Sequence, residues 1–318
     1  DTMLLFSIAL VLGLVLLVWS SDLFIENAAI VAEKLNVSPI IIGVTLVALG
    51  TSAPEMVVSA VAAIDQAADI AIGNVVGSNI ANIALVFGAT LLFGAIPVNG
   101  GLIRKEIPIL ISITLLTGYC FFDGTLDWID GTILVTAFAI ALVLLLRGAK
   151  DFEAELTEEL PPQDNAPLWQ TLAKSLLGLI VLIGSSKLLV WGATGIASAL
   201  GVSELVIGLT IVAIGTSLPE LAASITSVRK GHHDIAIGNV IGSNIFNLAT
   251  VLPMPAFIAP GVLQASVVSR DYGWMLGLTV FIALVCVLFV RSNKQQIPRI
   301  IALPLLGSYA IYLFILAS

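Results

Sequence analysis

The chain alternates long apolar runs with short polar interruptions. Ten runs can be drawn, at about 3–32, 38–63, 70–93, 107–122, 128–146, 170–199, 203–227, 235–258, 272–290 and 298–317. A helix needs roughly 20 apolar residues to cross about 30 Å of hydrocarbon, so each run is read as a membrane span. The first and sixth exceed that length and are expected to be tilted. The first begins at Met3 with no Lys or Arg before it. A cleaved signal peptide carries a basic leading region and a small-residue cleavage site, so this run is read as a retained first span.

Composition gives the same answer. The chain has 318 residues, of which 58% are hydrophobic and 11% charged, against about 25% charged in an average globular protein. The mean hydropathy is +1.09. Such a chain cannot cover itself with a soluble surface. A soluble enzyme, a nucleic-acid binder and a disordered chain are excluded. So is a disulfide scaffold: the two cysteines, Cys120 and Cys286, lie in apolar stretches and read as small lipid- or core-facing residues. No cofactor and no obligate protein partner is indicated; the lipid bilayer is the implied surrounding.

Positive charge orients the spans. With the N-terminus outside, Lys34, Arg104, Lys105, Arg147, Lys150, Lys174, Arg229, Lys230, Arg291, Lys294 and Arg299 fall on the cytoplasmic side. Only Arg270 falls outside, and Lys187 lies within a span. The positive-inside rule therefore predicts a protein of the plasma membrane with both termini outside. The one sizeable loop, Lys150–Pro167, holds six acids and one base. Lacking the glycine and alternating acids of a calcium loop, it reads as a solvated linker. The expected organisation is a first five-helix repeat (1–149), an acidic cytoplasmic linker (150–167) and a second five-helix repeat (168–318).

The repeat is internal to the sequence. Residues 13–82 align with 178–247 at a constant offset of 165, and 34 of the 70 positions are identical. The strongest blocks are GTSAPE (50–55) against GTSLPE (215–220), and DIAIGNVVGSNIAN (69–82) against DIAIGNVIGSNIFN (234–247). Five spans per repeat is an odd number, so the second copy enters the membrane from the opposite side. The loops agree: Asp65 becomes Lys230, with Arg229 beside it, while the intramembrane sequence is kept. The predicted fold is an all-α integral membrane protein of ten transmembrane helices in two inverted-topology repeats, an architecture of secondary transporters with a site at the midplane.

Four spans carry polar residues. The second and seventh hold Thr51, Ser52, Pro54, Glu55 and Thr216, Ser217, Pro219, Glu220; the third and eighth hold Asn74, Ser78, Asn79, Asn82 and Asn239, Ser243, Asn244, Asn247. A carboxylate near the bilayer centre costs several kcal/mol or more unless paired, protonated or hydrated. Lys187 is single and cannot pair with both glutamates. The remaining partner is a cation; the alternative is a protonated structural pair hydrogen-bonded to Ser and Thr. Pro54 and Pro219 deprive the carbonyls of Gly50 and Gly215 of their helical donors, and broken helices expose oxygens that line a cavity or bind an ion. Ser78 and Asn82 share a face, as do Ser243 and Asn247; Asn79 and Asn244 fall off it and are expected to cap or brace neighbours. Gly73, Gly77, Gly238 and Gly242 are expected to serve close helix packing. His232 and His233 read as solvated loop residues. The donors are oxygens, which suit Ca²⁺ and Na⁺ and not a soft metal.

The paired GTSxPE and GNxxGSNxxN blocks resemble the two α-repeats of the calcium/cation antiporter superfamily, the sodium/calcium exchangers. The resemblance covers essentially the whole chain. It implies that Glu55 and Glu220 bind Ca²⁺ with the backbone carbonyls of Thr51 and Thr216. It implies that Na⁺ uses the same glutamates with the hydroxyls of Thr51, Ser52, Ser78, Thr216, Ser217 and Ser243 and the carbonyls of Ala48 and Ala213. Asn82 and Asn247 would close the middle of the site, and the first and sixth helices would slide across the other eight. Potassium-dependent members, and some prokaryotic ones, have Asp at the position of Asn247, and potassium-dependent members commonly have Asp at that of Glu220. Proton/calcium exchangers typically carry Gly-Asn-x-x-Glu in place of GTSxPE. The expectation is a potassium-independent Na⁺/Ca²⁺ antiporter exchanging about 3 Na⁺ per Ca²⁺. An H⁺/Ca²⁺ antiporter is the alternative. A cation channel fits less well, because channels favour rotationally symmetric subunits, and an intramembrane enzyme lacks a nucleophile.

Overall fold

Every expected span that falls among the described residues is helical in the computed structural model, which describes residues 2–98, 100–153, 166–201, 213–292 and 295–317. Most of the expected linker (154–165) and the start of the expected seventh span (203–212) lie outside the described residues. The first helix runs Thr2–Lys34 and the sixth Leu168–Ala199. At 1.5 Å per residue the first is about 50 Å long, which agrees with the tilt expected of it. Among the described residues, seven helices are long and apolar enough to cross a membrane, eight when the bent pair Pro39–Thr51 and Ala53–Ile64 is taken as one span. The chain is a multi-pass membrane protein. The expected fourth span is a helix of only 15 residues, Glu106–Cys120, or about 22 Å, preceded by the short helix Gly100–Arg104.

Burial sorts the helices into core and cover. In the third span (Ala68–Phe93) and the eighth (His233–Ile258), 78% and 94% of the apolar window is buried; in the first and sixth the figures are 17% and 28%. The two spans that carry the GNxxGSNxxN blocks are thus at the centre of the molecule. The first and sixth lie against one another on its flank, showing Leu4, Ile8, Val11, Leu176 and Ile180 outwards. Their crossing depends on missing side chains. A Cβ at Gly13 would stand 2.8 Å from the Leu189 backbone nitrogen, and one at Gly178 2.8 Å from that of Phe24. Cys120 and Cys286 are free and buried.

Short antiparallel ribbons tie the halves together. β1 (Ile96–Pro97) pairs with β4 (Gln296–Ile297), and β2 (Thr125–Leu126) with β3 (Gly261–Val262). Each ribbon joins two loops that a ten-span alternation puts on the same side. The same holds for the Lys34 ammonium on the Ala166 carbonyl, Gln264 Nε2 on Asp69 Oδ2 at 2.8 Å, Arg299 on the Phe93 carbonyl at 3.2 Å, and Lys230 beside Glu26 at 3.5 Å.

Candidate functional site

Each carboxylate sits just past a helix break. In the second span, Gly43–Val47 is a π-helical turn, Ala48–Thr51 is α-helical, and the helix stops at Ser52 (φ −82°, ψ 3°) before restarting as Ala53–Ile64, bent by 45°. In the seventh, Ala213–Thr216 stops at Ser217 (φ −93°, ψ 6°) and restarts as Leu218–Arg229. Pro54 and Pro219 lie in the first turn of each restarted helix, where a missing N–H costs nothing. Glu55 and Glu220 share that first turn, at the electropositive helix end.

Of the two carbonyls released by the prolines, that of Gly215 is not left for an ion: it accepts the Ser186 hydroxyl at 3.0 Å. The expectation of a free oxygen is corrected at that position: the protein supplies the donor. The Ala48 carbonyl accepts the Ser52 N–H at 3.0 Å and lies 3.4 Å from the Thr51 hydroxyl. Ala213 lies in the helix Ala213–Thr216.

Glu55 and Glu220 are both wholly buried. The Ser52 hydroxyl, from the other half, donates to Glu220 Oε1 at 3.2 Å. Both oxygens of Glu55 and the second of Glu220 have no hydrogen-bond partner. Ser217 Oγ, Ser243 Oγ, Asn82 Oδ1 and both side-chain polar atoms of Asn247 are also buried without partners. An orphaned buried polar group costs about 1–3 kcal/mol, and a charged one more. A cluster of orphaned oxygens is a donor set for a hard cation.

Other members are engaged with the protein. Asn79 Nδ2 donates to the Asn244 carbonyl and Asn82 Nδ2 to Asn244 Oδ1, both at 3.2 Å. Asn79 and Asn244 thus brace the third span against the eighth, as their place off the Ser/Asn face suggested. The α-helix yields to a π-helical turn at the same repeat position in both, over Asn82–Phe87 and Asn247–Val251. Such turns recur at functional sites, and nothing in the composition announces them.

Two amides show a role that sequence reasoning did not assign. Asn74 Nδ2 donates to the Glu55 backbone carbonyl at 3.3 Å and to Ser59 Oγ at 2.9 Å. Asn239 Nδ2 makes the same pair of bonds, to the Glu220 carbonyl at 3.3 Å and Ser224 Oγ at 2.9 Å, and its Oδ1 accepts the Thr51 hydroxyl at 3.1 Å. They pin the backbone that carries each carboxylate. The available signal was that Ser59/Ser224 and Asn74/Asn239 survive as identical pairs at offset 165.

Ser78 and Thr216 line a cavity of about 300 Å³, together with Gly73, Asn74 and Gly77. It meets the surface at Asp69 and Gln264, both exposed. The four glycines therefore divide. A Cβ at Gly238 would stand 2.6 Å from the Ile40 carbonyl oxygen and one at Gly242 2.4 Å from that of Val44, so these two serve close packing; at Gly73 and Gly77 nothing among the described residues lies within 4 Å, and both line the cavity. His232 and His233 are half-buried rather than solvated, and His233 starts the eighth helix. Burial holds His232 below the usual imidazole range, because it penalises the charged form.

A family profile described as sodium/calcium exchanger protein matches residues 5–147 and 171–317. The chain belongs to the sodium/calcium exchanger family. It is a transporter of the antiporter type, not an enzyme. Relatives include CaxA of Alkalimonas amylolytica, 46% identical over 99% of this chain and 100% of that protein. Sodium/calcium exchanger MaX1 of Methanosarcina acetivorans is 31% identical over 96% of this chain and 97% of its own length. The solved sodium-calcium exchanger NCX_Mj superposes with a TM-score of 0.84 at 31% identity, covering 99% of this chain and 98% of that one.

Proposed function

We propose that this exchanger moves Ca²⁺ against Na⁺ by alternating access around Glu55 and Glu220. The observation that carries the reading is the pair of wholly buried carboxylates, one per half, with three of their four oxygens unpartnered. Ca²⁺ takes both glutamates and the carbonyls of Thr51 and Thr216. Na⁺ takes the glutamates with the hydroxyls of Thr51, Ser52, Ser78, Thr216, Ser217 and Ser243 and the carbonyls of Ala48 and Ala213, and Asn82 and Asn247 close the centre. The orphaned Ser217, Ser243 and Asn247 atoms support this assignment. The engaged Ala48 carbonyl keeps a second lone pair for an ion.

The same reading takes ten spans in two inverted repeats, 1–149 and 168–318, joined by a cytoplasmic linker, in the plasma membrane with both termini outside. The matched contacts of Asn74 and Asn239, and the loop pairings that respect the alternation, support it. Exchange is independent of K⁺, since Asn247 and Glu220 stand where potassium-dependent members carry Asp.

Two carboxylates are neutralised by one Ca²⁺, whereas three Na⁺ leave the site at +1. The sodium-loaded carrier then moves one net charge, worth about 2.3 kcal/mol per 100 mV. The test is ⁴⁵Ca²⁺ uptake into proteoliposomes under imposed Na⁺, K⁺ or H⁺ gradients, with the membrane potential clamped by valinomycin. The expected result is uptake driven by Na⁺ alone and altered by the potential. Uptake driven by a proton gradient without Na⁺ would establish the H⁺/Ca²⁺ alternative, and a flux indifferent to potential would mean two Na⁺ per Ca²⁺.

A further inference from the structure

The cavity that reaches Ser78 and Thr216 is also walled by an ion pair. Arg270 Nε donates to Asp271 Oδ1 at 2.7 Å and its Nη2 to Oδ2 at 3.2 Å, while the Tyr312 hydroxyl donates to Oδ1 at 3.2 Å. All three residues line the cavity, with Asp69 at its mouth. Asp271 is buried and the guanidinium is partly exposed. Past Asp69, an incoming cation therefore meets a fixed positive and a fixed negative charge that nearly cancel one another.

The pair has a counterpart. The offset of 165 that relates the halves continues past the aligned blocks and matches Lys105–Glu106 to Arg270–Asp271, just as it matches Asp69 to Asp234. Glu106 opens the fourth helix, which packs against the eighth, whose first turn holds Asp234. Each half thus places a base–acid pair near the aspartate that opens the third or eighth helix of the other half. In this conformation the Arg270 side is open as a cavity.

We propose that the Arg270–Asp271 pair is a specificity-determining element of this entrance, adding no net charge of its own to it and so fixing how strongly Ca²⁺ competes with Na⁺. The energy of an ion in a potential scales with its charge. Any imbalance that changes Na⁺ affinity by a factor f changes Ca²⁺ affinity by f squared. Per ion, an uncovered Arg270 would weaken Ca²⁺ more than a single Na⁺, and an uncovered Asp271 would strengthen it more; against a load of three Na⁺, which scales as f cubed, the net preference runs the other way. Neither residue touches the glutamates, so the effect is electrostatic and screened by salt.

This rests on the exchange reading above, and the test separates the two. Equilibrium ⁴⁵Ca²⁺ binding to the purified full chain is measured in detergent with Na⁺ as competitor, at low and high choline chloride. If the parent binds no Ca²⁺ that Na⁺ displaces, the exchange reading fails before any variant is made. Given that it does, R270Q is expected to tighten Na⁺ about 2- to 3-fold and Ca²⁺ by the square, about 4- to 9-fold. D271N is expected to weaken both by the same rule. R270K and the doubly neutral R270Q/D271N are expected to stay near the parent, and high salt to shrink every shift. If D271N fails to fold, R270Q against R270K carries the test. Shifts of equal size for Na⁺ and Ca²⁺, a shift in R270K as large as in R270Q, or no shift in R270Q would overturn the proposal.

Discussion

Alanine at Gly242 and at Gly77 adds the same methyl group at two repeat-related positions, yet the structure predicts opposite outcomes. At Gly242 the new Cβ would stand 2.4 Å from the Val44 oxygen, 2.6 Å from Val44 Cα and 2.7 Å from Ala48 Cβ. Carbon contacts settle near 3.5–4.0 Å. None of the three atoms can be moved by a rotamer change, so the segment around Val44–Ala48 must shift by about 1 Å. Overpacking of this kind costs about 1–3 kcal/mol, or a factor of about 5–150 in the population of this arrangement at about 1.4 kcal/mol per tenfold. At Gly77 no atom of the described residues lies within 4 Å. There the methyl meets open cavity, and the helix gains up to about 1 kcal/mol from exchanging Gly for Ala. Thermal unfolding of the purified protein in detergent, read beside ⁴⁵Ca²⁺ uptake, checks both. G242A is expected to unfold earlier and transport more slowly, and G77A to unfold at or above the parent temperature. Equal destabilisation by the two would falsify the assignment of one face as packed and the other as open.

Three further outcomes follow from the site. Glu55→Gln and Glu220→Gln are each expected to abolish calcium exchange in a folded protein, since one carboxylate remains for a divalent ion in a dry site; near-normal exchange by both, alongside parent-like elution on gel filtration, would remove the glutamates from the ion path. Asn239→Ala releases the Glu220 carbonyl, Ser224 and Thr51 at once, and is expected to cost about 1–3 kcal/mol by leaving buried groups unpaired; an unchanged unfolding temperature would show the amide to be idle. Asn247→Asp adds a third carboxylate to the site, so calcium exchange should become sensitive to protons or to potassium; pH and K⁺ profiles that overlay the parent's would place Asn247 outside it.

What could be read from the sequence was whatever carries a large energy. Two glutamates deep in apolar spans are costly enough to stand out, and a proline beside each marks a helix that cannot continue. The breaks fall at Ser52 and Ser217, next to those prolines. Smaller energies were not legible. An asparagine at depth is equally a ligand or a brace, so the pinning of the Glu55 and Glu220 carbonyls by Asn74 and Asn239 needed coordinates. The donor that satisfies the Gly215 carbonyl is Ser186, on a different span and 29 residues away, and no local pattern connects them.

The glycines expose a limit of another kind. Gly77 and Gly242 stand in nearly identical sequence, GNVVGSNI and GNVIGSNI, yet one faces a cavity and the other a backbone. The same split recurs among the hydroxyls. Ser52 donates to Glu220, while its repeat mate Ser217 has no partner and neither has Glu55. Ser186 donates to the Gly215 carbonyl, while its mate Ser21 shares a hydrogen bond with Thr226. Sequences this similar carry no instruction about which half takes which role. On the proposed alternating-access reading, the difference belongs to the conformation. On that reading, exchanging the roles of the halves would yield an arrangement built from the same kinds of contact, with an energy close to that of the one seen. A carrier needs two states separated by no more than a few kcal/mol, because an ion can shift their populations only by its difference in affinity between them. An internal repeat meets that requirement through sequence likeness alone, and the residues that differ between the halves, such as Asp22 against Lys187 or Asp65 against Lys230, are left to set the remaining bias.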